Sequence, residues 1–119
     1  MNYRSLLLLL LETAIGLFMI AKSQAAAPVV TNARTASQLY SKHCVSCHGR
    51  NGRSQTTKGK FSHARDLTDA QWQDEVSDER LFNSIMNGRN VRGNMPAFSN
   101  KLNEQEADSL VGLVRKFRK

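Results

Sequence analysis

The chain has only two cysteines, two prolines and one tryptophan among its 119 residues. A single cysteine pair excludes a scaffold held by several disulfides. The pair, Cys44 and Cys47, is separated by two residues. A disulfide between them would close a very short loop and stabilise little on the loop-entropy argument. No segment alternates convincingly between apolar and polar residues as a half-buried strand does, and no internal repeat is visible. The expected fold class is therefore all-α. Acidic residues are also scarce, with ten Asp and Glu against seventeen Lys and Arg, a formal charge of +7. That balance suits anionic partners of any kind. The charge is unaccompanied by a nucleic-acid reading motif, which argues against nucleic acid.

A long apolar run is missing too. Residues 6–21 fall short of the roughly 20 apolar residues that span a bilayer. Glu12 interrupts them, where a charge costs about 3 kcal/mol on insertion scales. Residues 1–25 instead have the layout of a secretory signal peptide. Arg4 gives a basic start, Leu6 to Leu11 an apolar middle, and Ser23 and Ala25 suit a cut after Ala25. The alternative is a retained anchor. Cleavage would leave 94 residues with 15 of the basic and 9 of the acidic side chains, a net charge of +6. A chain of that size has a thin core and often needs a disulfide, metal or cofactor to hold its fold.

Residues 26–34 read as a lead-in and 35–119 as one domain of three or four helices with long connections. Thr35 and Gln38 form a capping-box pair, followed by Ala36, Leu39, Tyr40 and His43 on one helical face. Residues 49–65 carry three glycines and five Lys or Arg without an acid, and predict a long loop. Residues 68–76 predict a short helix with a Thr68/Gln71 capping box and Trp72 as its large apolar residue. Ser77 predicts the next helix start, Leu81, Phe82, Ile85 and Met86 its stripe, and Gly88 its end. Asn103 and Glu106 open the last helix, whose buried face is Ala107, Leu110, Val111, Val114 and Phe117. Arg115 and its basic neighbours suit that helix's C-terminal dipole, and Gly112 lies off the stripe.

The stretch His43 to Gly49 reads HCVSCHG. Zinc needs four tetrahedral ligands, and the partner histidine expected after His63 is absent. A thiol-redox pair sits at a helix start in a βαβ setting, whereas this one ends a helix. Covalent haem explains each residue: C-x-x-C-H is its attachment motif, with two thiols for the vinyl groups and His48 for the iron. Outside the leader, Met86 and Met95 are the candidates for the second axial position. Met86 lies on an apolar helix stripe and reads as core. Met95 lies in the loop GNMPAF, where Pro96 biases it to an extended backbone, and is the favoured ligand. A thioether opposite histidine favours ferrous iron and raises the potential.

From residue 35 onward the chain resembles the class I c-type cytochromes, small exported single-haem proteins. LYSKHCVSCHG resembles their N-terminal helix and attachment site, NGRNVRGNMPAF their methionine loop, and LNEQEADSLVGLV their closing helix. The resemblance implies the cytochrome c fold and one covalent haem c. It makes Cys44 and Cys47 the thioether anchors, and His48 and Met95 the axial iron ligands. Ala36 and Tyr40 match the crossing of the first helix on the last, against Leu110 and Val114. Trp72 and Arg65 are candidate propionate contacts, against core packing for Trp72 and a solvated charge for Arg65. His43 reads as a helix-face bystander and His63 as a loop residue. The family often orients the proximal histidine with a proline carbonyl, but no proline lies between Gly49 and Met95, so the acceptor for His48 is unassigned.

The implied function is one-electron carriage in a respiratory or other periplasmic chain, with acidic redox partners steered by the basic loop. An electron-transfer subunit of a dehydrogenase or oxidase complex is the alternative, and a haem-based gas or redox sensor a third. Only the sensor requires an open or labile sixth position. The expected location is the bacterial periplasm, or the periplasmic face of the inner membrane if the leader is retained.

Overall fold

A computed structural model describes residues 34–119. The expected leader and nearly all of the lead-in lie outside these residues. Among the described residues six helices follow in order, where the sequence predicts three or four: α1 (Ala36–His43), α2 (Val45–His48), α3 (Thr57–Phe61), α4 (Ala70–Glu75), α5 (Asp78–Asn87) and α6 (Glu104–Arg115). No strand occurs among the described residues. Only an isolated antiparallel bridge joins Arg89 and Met95. The all-α expectation holds.

All of these helices except α2 start where a side-chain oxygen takes up a free backbone donor. Thr35 Oγ1 accepts the Gln38 N–H (3.2 Å) and Gln38 Oε1 accepts the Thr35 N–H (2.9 Å), closing the capping box of α1. Asn103 and Glu106 do the same for α6, at 2.8 and 3.1 Å. Ser77 Oγ accepts the Arg80 N–H to open α5, and Gly88, at φ +73°, ends it in a conformation that favours glycine.

Two further expectations change. Residues 49–65 are not all loop, because Thr56 accepts the Gly59 N–H (2.9 Å) and starts the five-residue α3. Its sequence, TKGKF, carries no apolar stripe, and its stability comes from tertiary contacts. The capping box at Thr68 does not form either. Asp69 accepts the Trp72 N–H and starts α4 one residue later, while the Thr68 hydroxyl donates to Asp66. A carboxylate next to a threonine is the stronger acceptor for a helix start.

The core is assembled from helices distant in sequence. Helix α1 packs against α6, and α5 packs against α6 as well. Leu39 and Leu110 are fully buried in this core, with Ala107, Val111 and Val114 beside them. Tyr40 and Phe117 meet with ring centroids 5.1 Å apart. Outside the core, Arg34 donates through Nε and Nη2 to both carboxylate oxygens of Glu106, at 2.8 and 2.7 Å.

The main surprise of packing is α4. Trp72 is only half-buried, whereas Gln73 is 3% exposed. Gln73 Nε2 donates to the Leu67 and Val114 carbonyls (2.8 and 2.9 Å), and its Oε1 accepts from Arg115 Nη1 (2.9 Å). Arg115 also donates through Nη2 to the Val76 carbonyl (2.6 Å). It therefore closes the C-terminal end of α4 as well as standing in the last turn of its own helix. A buried amide satisfied on both ends is tolerated where an unsatisfied one would be costly.

The pairing with Arg34, helped by the capping bond from Asn103, holds the Glu106 carboxyl below the ordinary range. Such a group contributes stability above its unfolded pKa and loses it as pH falls through the lowered folded value. Glu106→Gln keeps a capping side chain but discharges the pair. Wild type is expected to be the more stable at neutral pH, with the difference shrinking as pH falls through the acidic range. Thermal unfolding of both proteins across that range checks this, and a pH-independent difference would contradict it.

Candidate functional site

The motif Cys44–His48 is one helical turn at the end of α1. Cys44 closes α1 through its N–H to the Tyr40 carbonyl (2.9 Å) and also precedes α2. Cys47 and His48 donate their N–H groups back to the Cys44 carbonyl, at 3.1 and 2.9 Å. In a helical turn, positions i, i+3 and i+4 share one face, so the spacing puts all three reactive side chains on one side. The two cysteines are not joined to each other. Burial, with a smaller effect from Cys47, pushes the Cys44 thiol up to about 11. This is the reverse of the lowered pKa that a redox thiol needs. Among the described residues no group of three His, Cys, Asp or Glu is placed to hold a metal ion, against a zinc centre.

His48 is held by backbone. Its Nδ1 lies 3.0 Å from the Arg65 carbonyl and 3.2 Å from Ser54 Oγ. A carbonyl accepts only, so this contact puts the proton on Nδ1 and leaves the Nε2 lone pair for a ligand. Burial lowers the His48 pKa, and the bond to Arg65 opposes that shift. The acceptor that the sequence left unassigned is thus the Arg65 main chain. The Arg65 guanidinium lies 5.6 Å from the centroid of the Trp72 ring.

These groups open onto a cavity of about 1320 Å³, larger than the roughly 300–1,000 Å³ of most small-molecule sites. Cys44, Cys47, His48 and Met95 all line it, as do Trp72 and Arg65. Its apolar wall includes Leu67, Leu81, Ile85, Phe98, Leu110 and Val114. A planar apolar group with two thiol anchors and a nitrogen ligand fits this lining. Met86 packs half-buried against the core and does not line the cavity.

The methionine loop is held at both ends. Arg89 and Met95 exchange N–H···O bonds of 2.8 Å in each direction, and the Asn94 N–H donates to the Ser62 carbonyl (2.9 Å). At Gly88 an added Cβ would come within 2.6 Å of the Met95 carbonyl, so side chains are excluded there.

His43 and His63 also line the cavity. His43 Nε2 is buried without a hydrogen-bond partner, and its ring meets Phe98 edge-on at 5.7 Å. Desolvation lowers its pKa, with Lys42, Lys101 and Arg34 adding to the shift and Glu106 opposing it. Sequence reasoning missed Arg80, Arg89 and Arg92, which line the cavity as well. The available signal was their position around the α5 stripe and the methionine loop, but arginines there read equally as solvated charge.

An all-α shell around a large apolar cavity, entered by a C-x-x-C-H turn, defines a c-type cytochrome. Residues 31–114 match the family model Cytochrome_CBB3, described as "Cytochrome C oxidase, cbb3-type, subunit III", and the chain belongs to this family of class I c-type cytochromes. It is similar to the solved structure "KustC0563 c-type cytochrome", with 38% identity and a TM-score of 0.66 over 72% of this chain and 100% of that one. A mutant of the same protein is similar too, with 36% identity and a TM-score of 0.64 over 71% and 100%. No curated protein matches the chain. Its cofactor is covalent haem c, and its function is haem-based electron transfer.

The attachment turn depends on a glycine that sequence reading did not single out. A Cβ on Gly59 would collide with the Cys47 carbonyl and approach the Ser54 carbonyl to 2.9 Å. Gly59→Ala is expected to destabilise the protein by about 1–3 kcal/mol through overpacking. Gly112, exposed on α6 with nothing within 4 Å of an added Cβ, gives the opposite expectation. Gly112→Ala should stabilise by up to about 1 kcal/mol from helix propensity. Denaturant unfolding of the two variants measures both signs.

Proposed function

We propose that the chain is a one-electron carrier of a respiratory or other periplasmic chain. In this reading Cys44 and Cys47 would anchor the haem, and His48 and Met95 would ligate its iron. The observation that carries the reading is the convergence of these four side chains, from the attachment turn and from the methionine loop, on one apolar cavity. When bound, the haem iron supplies the one-electron chemistry. The protein's part is to hold two ligands and keep water away. His48 presents Nε2 because Nδ1 is engaged, and the bridge between Arg89 and Met95 fixes the loop carrying the thioether. Arg65 and Trp72 are proposed propionate contacts, with Arg80, Arg89 and Arg92 as further cations at the same cavity.

The optical spectra of the purified protein, oxidised and reduced, test this reading together with Met95→Ala. The expected result is a covalent haem spectrum in both proteins and loss of the thioether-ligated ferric spectrum in the variant. An unchanged ferric spectrum would remove Met95 from the axial position, and absence of covalent haem would remove the whole reading.

The proposal extends to redox partners with acidic docking faces. Phe61 and Val91 are 83% and 72% exposed, the large apolar side chains left uncovered among the described residues. Lys58 and Lys60 precede the first, and Arg92 follows the second. The segments meet where Asn94 bonds Ser62. An apolar centre with cations around it suits a transient electron-transfer contact, guided by charge. Association with a redox partner is expected to slow as salt rises, because the Debye length falls from about 10 Å at 0.1 M to about 3 Å at 1 M. A salt-independent rate would exclude steering by these charges.

A second reading is favoured by the description of the matching family, an oxidase subunit. Here the chain would be the electron-transfer module of a dehydrogenase or oxidase complex. Purification with a stable partner would favour it over the free carrier. Export by a cleaved leader, or anchoring at the periplasmic face, belongs to either reading. No helix of the described residues is long and apolar enough to cross a membrane.

A further inference from the structure

Ser54 has an unusual combination of properties. It is 8% exposed, lies outside any helix and has a left-handed backbone, with φ at +56°. Glycine takes that conformation without the Cβ cost, so the turn itself does not call for a side chain. The hydroxyl donates to the Arg65 carbonyl, the same oxygen that accepts from His48 Nδ1. Ser54 Oγ is also 3.2 Å from Nδ1, so its free lone pairs face the same N–H. The Ser54 N–H in turn donates to the His48 carbonyl (2.9 Å). His48, Ser54 and Arg65 thus form a closed set in which one serine touches both the imidazole and the carbonyl that orients it.

From this we propose that Ser54 is a positioning residue for His48: its hydroxyl clamps the Arg65 carbonyl and shares the Nδ1 proton, setting the electron donation of the imidazole to iron. The inference rests on the reading of His48 as the iron ligand. A hydrogen bond accepted from the non-ligating ring nitrogen raises the basicity of the ligating one. A more basic imidazole favours ferric iron and lowers the potential. Removing the hydroxyl takes away one acceptor at Nδ1 and frees the other to drift, and both effects weaken donation. The potential should therefore rise.

Two variants of the holoprotein separate the hydroxyl from the backbone. Ser54→Ala removes the hydroxyl and keeps a Cβ in the left-handed region. Ser54→Gly removes the hydroxyl and relieves that backbone. Both are expected to shift the ferrous-to-ferric ratio at fixed potential about threefold towards ferrous, which at about 59 mV per tenfold is a rise of about 28 mV. Both should also speed the exchange of the His48 Nδ1 proton with solvent, read by NMR on the reduced protein. Ser54→Gly keeps the test open if the alanine variant folds poorly. An unchanged or lowered potential in the glycine variant, or an unaltered Nδ1 exchange rate, overturns the inference. Optical spectra of wild type are recorded first: a covalent haem with intact axial ligands and no shift in the variants refutes the role of Ser54 alone, while absence of covalent haem refutes it together with the reading it rests on.

Discussion

The crossing of α1 on α6 is the contact on which the remaining structure depends. It joins two ends of the domain that are about 70 residues apart in sequence, and buries Leu39, Ala107 and Leu110 almost completely. The last residue of α1 leads into Cys44, so the orientation of that helix sets the direction of the attachment turn. Leu110 and Val114 contribute to the core on one side and to the cavity wall on the other. A haem pocket in so small a domain has no independent wall. It borrows the apolar faces of the same helices that hold the chain together.

Around that crossing, much of the ordering is done by main-chain groups. The Arg65 carbonyl orients His48, and the Gly49 carbonyl accepts the Tyr40 hydroxyl at 2.8 Å. Burial, with a smaller effect from Cys44, raises the Tyr40 pKa, so its phenol remains a donor. The Thr56 hydroxyl, contacting the Ser46 and Cys47 carbonyls at 2.8 and 3.0 Å, ties α3 to the attachment turn. Buried carbonyls must find donors, and a segment with few apolar residues becomes ordered by supplying them. This explains how residues 49–65, rich in glycine and charge, are held close to the site without a hydrophobic stripe.

The strongly periodic helices are legible in the sequence alone. The stripes around Leu81 and Ile85, and around Leu110 and Val114, are buried as their spacing implies. Local capping chemistry at Thr35, Ser77 and Asn103 also suffices, because cap and acceptor lie within three residues of each other. Legibility ends where the partner is distant. Nothing local in the sequence marks Gln73 as core, yet carbonyls of Leu67 and Val114 make it a core residue. Arg115 reads as a dipole-complementing cation, yet it also closes α4, and α3 has no periodicity to announce it.

By itself, the sequence determined the class of chemistry: one turn with thiols at i and i+3 and an imidazole at i+4, a methionine before proline, and an all-α shell. These are local properties, carried by spacing and backbone preference, and they survive any arrangement of the rest. The tertiary structure alone decided which main-chain oxygen meets His48. It also decided that a serine in a left-handed turn touches both the imidazole and its acceptor. Those outcomes depend on segments brought together through space by burial, and no short window of residues contains the contacts that select them.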